Sequence, residues 1–192
     1  MNTHETPPGP WIRTLADEEA TGETAEMFAY LRRTRGAVYN LHRIHSLHAG
    51  ALDALITFID EVLNKPGALS ACDRELIATV VSAENSCDYC TVLHAEALQA
   101  EIGDPDLARQ AAFDFHSAGL PERRRAMLCY ATRLTNAPAT IGPEDIDALR
   151  AAGLDDAAIL EVNLVASYFN YLNRVALGLG VPLDPGTSSQ PS

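Results

Sequence analysis

The strongest constraint on this chain is its punctuation. Glycine and proline mark the boundaries Gly103–Asp104–Pro105, Gly119–Leu120–Pro121 and Ile141–Gly142–Pro143. Glycine ends one helix in the left-handed region, and proline opens the next where no N–H is needed. Between the marks apolar residues recur every three or four positions, as in Leu52, Leu55, Ile56, Ile59 and Leu63, which is the period of a helix with one buried face. Ser70 is a good N-cap with Asp73 at the third helical position, and Asn85 or Ser86 is placed to cap the helix after it. These signals predict helices over 24–34, 37–49, 51–63, 72–83, 86–102, 105–118, 121–135, 143–152 and 155–179. The valine-rich "ELIATVV" has strand propensity, but an isolated strand has nothing to pair with. The fold class expected is all-α.

The expected organisation is one helical domain over 24–182. An N-terminal extension over 1–23 wraps loosely over it, and a flexible tail over 183–192 follows. Shifting the chain by 86 positions lays Glu75 on Glu161, Ser82 on Tyr168 and Cys87 on Asn173, a weak echo of a duplicated helical hairpin. Fourteen basic residues against 26 acidic ones give a net charge of -12. That balance argues against nucleic acid and against an anionic membrane surface as partners. The first residues lack the basic flank and apolar run of a signal peptide, and no apolar run reaches membrane-spanning length. The expected location is the cytoplasm, where close cysteines serve catalysis or metal binding more often than structural disulfides.

Such a pair is present in "SAENSCDYCTVLHA". Cys87, Cys90 and His94 are spaced three and four apart, so one helical face carries all three. The cysteines fall at the helix start, where unpaired N–H groups and the helix dipole favour a thiolate. If the segments on either side of residue 85 form an antiparallel hairpin, residues whose numbers sum to about 169 face each other. Glu75 and His94 meet that condition, and a carboxylate level with an imidazole can orient the ring and hold a proton. The residues alone leave three readings open: a redox dithiol, a zinc site completed by His94 and Glu75, or two core cysteines. Against zinc, structural sites usually join two separated ligand pairs rather than three ligands on one face. Cys72 and Cys129 read as packing residues, and Arg123, Arg124 and Arg125 as solvated or interfacial. Of the stripe His42, His45 and His48, His45 is best placed to line a pocket, and Tyr89 and Asn85 are the other pocket candidates.

The stretch "RELIATVVSAENSCDYCTVLH" resembles the signature of the alkylhydroperoxidase D-like superfamily, which includes carboxymuconolactone decarboxylases. It is most similar to the peroxidase-related branch, and the likeness extends to "RIHSLHAGALDALITFIDEVL" and "NYLNRVALGLGVPLD". The resemblance implies that Glu75, Cys87, Cys90 and His94 form the redox and proton-relay set. Founding antioxidant members carry histidine directly before the second cysteine, where this chain has Tyr89. Decarboxylases of the superfamily lack the cysteine pair.

The resemblance further implies an all-helical fold built around antiparallel hairpins. It implies a homo-oligomer, trimer or hexamer with dimers also seen, and neither metal nor organic cofactor. Its activity would be the reduction of organic hydroperoxides through a dithiol/disulfide cycle, recharged by a lipoyl-bearing or thioredoxin-like protein. In the expected cycle Cys90, one turn from His94, attacks the peroxide and Cys87 at the more exposed end resolves the intermediate. The alternative is a non-catalytic redox sensor or partner-binding helical oligomer.

Overall fold

The computed structural model describes residues 9–187, and all regular structure among them is helical. Nine α-helices follow in chain order: α1 Gly22–Arg35, α2 Asn40–Arg43, α3 Ala49–Ile59, α4 Ala71–Glu84, α5 Asp88–Ile102, α6 Pro105–Asp114, α7 Glu122–Asn136, α8 Pro143–Ala151 and α9 Asp156–Leu179. The start of α4 is a reciprocal cap: Ser70 Oγ accepts the Asp73 N–H at 3.1 Å, and the Asp73 carboxylate accepts the Ser70 N–H. The same carboxylate receives Arg123 and Arg124, so two of the three arginines expected at the surface anchor the hub helix instead. Helix α4 packs on α5, α6, α7 and α9. The fully buried Leu76, Ile77, Leu98, Met127, Phe169 and Leu172 fill the space between them.

Three expectations need correction. The helix predicted over 37–49 is only α2, followed by turns, because the His48 ring accepts the Ala51 N–H and starts α3 anew. The duplicated hairpin is absent, since α9 runs unbroken through the residues laid opposite the α4–α5 link. Glu161, laid on Glu75, instead accepts the Leu69 N–H at 2.7 Å and pairs with the buried Arg74. The N-terminal segment is tied down rather than loose. The Trp11 N–H donates to Leu179 O at 2.9 Å, and Leu15 N–H donates to Ser46 Oγ at 2.8 Å. The Trp11 ring lies so close to Gly180 that a Cβ there would sit 2.4 Å from it, at a φ of 61° that glycine already favours. The first eight residues of the expected extension and the last five of the expected tail lie outside the described residues. Leu183 and Asp184, assigned to that tail, are held: Asn40 donates its side-chain amide to Leu183 O and its backbone N–H to Asp184 Oδ1 at 2.7 Å.

Candidate active site

The link between α4 and α5 is as short as two antiparallel helices allow. Asn85 continues the last turn of α4, Ser86 adopts the left-handed region at φ 54°, and the Cys87 N–H returns to Ser82 O at 2.9 Å. This turn makes Cys87, rather than Asn85 or Ser86, the N-cap of α5. Cys90 follows three residues later, in the first turn of α5. Both sulfurs are covered, at 1% residual exposure each, so Cys87 is not the more exposed of the two.

The two thiols are not equivalent. The Cys90 thiol donates to the Cys87 sulfur, and this bond, outweighing burial, draws the Cys87 thiol down to about 7; the Cys90 N–H and the Asn173 amide add to it. Cys90 pays the opposite consequence: its bond to Cys87 and its burial push its thiol well above the ordinary value. Cys87 is therefore the more acidic thiol of the pair, and Cys90 is the one that keeps its proton. Both cysteines are free.

Glu75 and His94 face each other across the α4–α5 hairpin, as the register predicts. Glu75 Oε2 lies 2.7 Å from His94 Nδ1, and the His94 ring meets Phe169 edge-on at a centroid distance of 4.5 Å. Holding Nδ1–H to the carboxylate leaves Nε2 as the free basic nitrogen. Glu75, Tyr89 and His94 share a cavity of about 500 Å³ with Arg35, His42 and apolar residues of α3 and α9. Cys87 lines a separate cleft of about 390 Å³ under Trp11, Val181 and Leu183. Tyr89 borders both spaces. Among the described residues no group of three or more histidine, cysteine and acidic side chains is arranged to hold a metal ion.

The carboxymuconolactone decarboxylase family model matches residues 49–126. An uncharacterised peroxidase-related protein from Silicibacter sp. TM1040 is 28% identical over 100% of both chains, with a TM-score of 0.88. A second peroxidase-related protein, an alkylhydroperoxidase AhpD core from Ralstonia eutropha JMP134, is 25% identical over 93% of this chain and 94% of its own, with a TM-score of 0.84. The chain is thus similar to the carboxymuconolactone decarboxylase family over residues 49–126 and to alkylhydroperoxidase-type peroxidase-related proteins over nearly its whole length. The fold is shared with the debrominase Bmp8, solved with 2,3,4-tribromopyrrole, at 18% identity over 96% of this chain and 94% of that one, with a TM-score of 0.76. No curated protein sequence matches the chain.

Within this fold the pocket candidates separate. Tyr89, in place of the histidine of founding members, donates to Asp184 Oδ2 at 2.5 Å and accepts the Leu41 N–H. Burial and the Asp184 carboxylate hold its phenol protonated. His45 is in the wall of neither space; its ring bonds Leu41 O and Tyr171 Oη instead. Asn85 turns inward to Val81 O, Asn170 and Asn173. Cys72 is half-buried, while Cys129, expected in the core, is exposed. Asp184 and Asn173 escaped the sequence reading. Asp184 meets Tyr89 across 95 residues, which no local pattern reveals. The signal for Asn173 was available: two asparagines three apart on the apolar helix α9 need buried partners.

His42 gives the cavity a titratable wall. The Arg35 guanidinium, which only donates, faces His42 Nε2 at 3.3 Å, so the neutral ring keeps its proton on Nδ1. Burial, reinforced by the Arg35 charge, lowers the His42 pKa to about 3. A histidine held neutral contributes stability that is complete above its unfolded pKa of about 6.5 and is lost as the pH falls toward 3. Urea unfolding at pH 7, 5.5 and 4.5 should show a loss approaching about 1.4 kcal/mol per pH unit below that value. The slope should flatten in His42→Gln, which cannot titrate. An identical slope in the variant would remove His42 from the acid response.

Proposed function

We propose that this protein is a thiol-dependent peroxidase that reduces organic hydroperoxides with the Cys87–Cys90 dithiol and the Glu75–His94 relay. One observation carries the reading: a buried pair of unequal thiols sits one helical turn from a carboxylate-held imidazole. Cys90 is the less acidic thiol and needs a base, which His94 supplies; Cys87 ionises readily near neutral pH. Removal of the Cys90 proton by His94 lets that sulfur attack the terminal peroxide oxygen. The O–O bond breaks, Cys90 becomes a sulfenic acid, and the alkoxide leaves as an alcohol with the proton returned from His94. The Cys87 thiolate then attacks the Cys90 sulfur, forming the disulfide and, with one proton, releasing water. An external dithiol entering the cleft at Cys87 restores both thiols and is itself oxidised to a disulfide.

Lipoyl-bearing and thioredoxin-like proteins are the reductants of matching chemistry, and the cytoplasm is where they meet such a dithiol. Assembly into a homo-oligomer, trimer, hexamer or dimer, is supported by an apolar groove of about 410 Å³ between α3 and α9. Its exposed Phe58 and Tyr171 are unusual for a monomer surface. No helix among the described residues is long and apolar enough to cross a membrane.

The test is steady-state reduction of an organic hydroperoxide with dihydrolipoamide and with thioredoxin supplied separately. Peroxide loss matched one to one by dithiol oxidation over many turnovers is expected with one of them. Oxidation that stops after one equivalent with both would overturn the enzyme assignment. It would favour a redox sensor, a reading to which the covered sulfurs lend support. A brominated pyrrole offered with the same dithiols probes the chemistry of the debrominase that shares the fold. Turnover of that compound alone would replace the peroxide as substrate.

A further inference from the structure

We propose that Asn173 is a catalytic residue of the dithiol centre, its side-chain N–H groups acting as a fixed donor to whichever of the two sulfurs is anionic. The proposal rests on the dithiol reading above for its place in a cycle. Asn173 is wholly buried on α9, and it reaches the α4–α5 link from the opposite helix. Its amide is not free to turn over. Asn85 Nδ2 lies 3.0 Å from Val81 O, a carbonyl that only accepts, so this nitrogen is the end directed into the helix interface. The same nitrogen donates to Asn173 Oδ1 at 2.9 Å. Asn170 presents its own oxygen to Asn85, because its nitrogen donates to Ala166 O and Arg174 donates to its oxygen. With its oxygen committed to Asn85, Asn173 directs Nδ2 the other way.

That nitrogen meets Ser82 Oγ at 3.1 Å, and Ser82 O in turn accepts the Cys87 N–H at 2.9 Å, so the amide is aimed at the start of α5, where it acts to lower both thiols. With one N–H on Ser82 Oγ, the second is available to the dithiol. Any charge that develops on a sulfur draws an N–H without movement of the backbone. A donor already oriented in a dry site stabilises developing charge with little reorganisation. The cycle moves charge from Cys87 to Cys90 and back, and Asn173 acts to lower both thiols. An asparagine present only to satisfy Ser82 would have the same burial but no effect on the thiols, and the two roles separate by experiment.

Thiolate absorbance near 240 nm is followed against pH in the reduced full-length protein, beside the rate of iodoacetamide modification of Cys87. Asn173→Ala should raise the midpoint by about one unit, slowing modification at pH 6.5 about tenfold. Ser82→Ala, which removes the competing acceptor and no thiol contact, should leave the midpoint in place. Asn85→Ala releases the amide and should move it upward by a smaller amount. It carries the test if Asn173→Ala does not fold. A folded Asn173→Ala protein with an unchanged midpoint would overturn the proposal, as would a Ser82→Ala shift of equal size. The titration uses no peroxide, so a shifted midpoint in a protein without peroxidase turnover would keep Asn173 in the dithiol centre and reject the peroxidase reading alone.

Discussion

A Cys87→Ser variant treated with one equivalent of an organic hydroperoxide should accumulate sulfenic acid at Cys90 and then stop. Its steady-state turnover should fall by about three orders of magnitude or more, because loss of one member of a catalytic unit removes most of what the unit does. A Cys90→Ser variant should fail even the first oxidation at a comparable rate. The division follows from where the proton is. Cys90 holds it and has His94 one turn away, while Cys87 has a thiol lowered to about 7 and opens onto its own cleft. An acidified sulfur beside a cleft suits attack on a sulfenic acid and exchange with an outside dithiol. A sulfur that must first be deprotonated needs the relay. The acidity order alone would favour the opposite assignment, since the thiolate is the nucleophile. Dimedone trapping followed by mass spectrometry therefore decides it. Sulfenic acid at Cys87 in Cys90→Ser, with none at Cys90 in Cys87→Ser, would reverse the roles. Serine is nearly isosteric at both buried positions, and circular dichroism establishes that both variants are folded.

The parts of this site that were legible in the sequence are those fixed by local geometry. Ser70 and Asp73 announce the start of α4, and Gly103 with Pro105 announces the end of α5. Between those marks a tight link leaves little freedom of register, so Glu75 had to meet His94. The relative acidity of Cys87 and Cys90 was not legible. Both sit near a helix start, and what distinguishes them is a turn through the left-handed Ser86 that makes Cys87 the cap and sends the Cys90 proton toward it. Contacts made by distant segments were likewise hidden. Asp184 reads as tail composition until Tyr89 and the Asn40 N–H are seen to converge on it. The helix predicted over 37–49 failed for a different reason: apolar period continues through it, but the His48 side chain restarts the chain as α3. The 86-position shift lays Cys87 on Asn173, and the two are neighbours through Ser82 without any repeat to relate them.

Phe169→Ala should be the most destabilising single change near the site. Phe169 is completely buried, and its ring supports both the α4–α9 interface and the edge of His94. Truncating a buried phenylalanine removes its transfer energy and leaves a cavity, a loss of about 3–5 kcal/mol. In a chain of this size each kcal/mol lowers the melting temperature by roughly 2–4 °C, so a fall on the order of 10 °C is expected. The cavity also releases the imidazole from the ring that holds it upright over α5. Phe169→Leu separates the two effects. It keeps most of the volume, and its cost should stay below about 1.5 kcal/mol plus a contribution of about 0.5–1.5 kcal/mol for the lost aromatic contact. Calorimetry of both variants should therefore show a large drop for alanine and a small one for leucine. Peroxide-driven oxidation of Cys90 should slow in the leucine variant more than its modest destabilisation explains, because Glu75 alone then orients His94. An alanine variant that melts within 2 °C of the parent would mean that α9 does not pack where this arrangement puts it. A leucine variant that oxidises at the parental rate would leave Glu75 as sufficient to hold the imidazole.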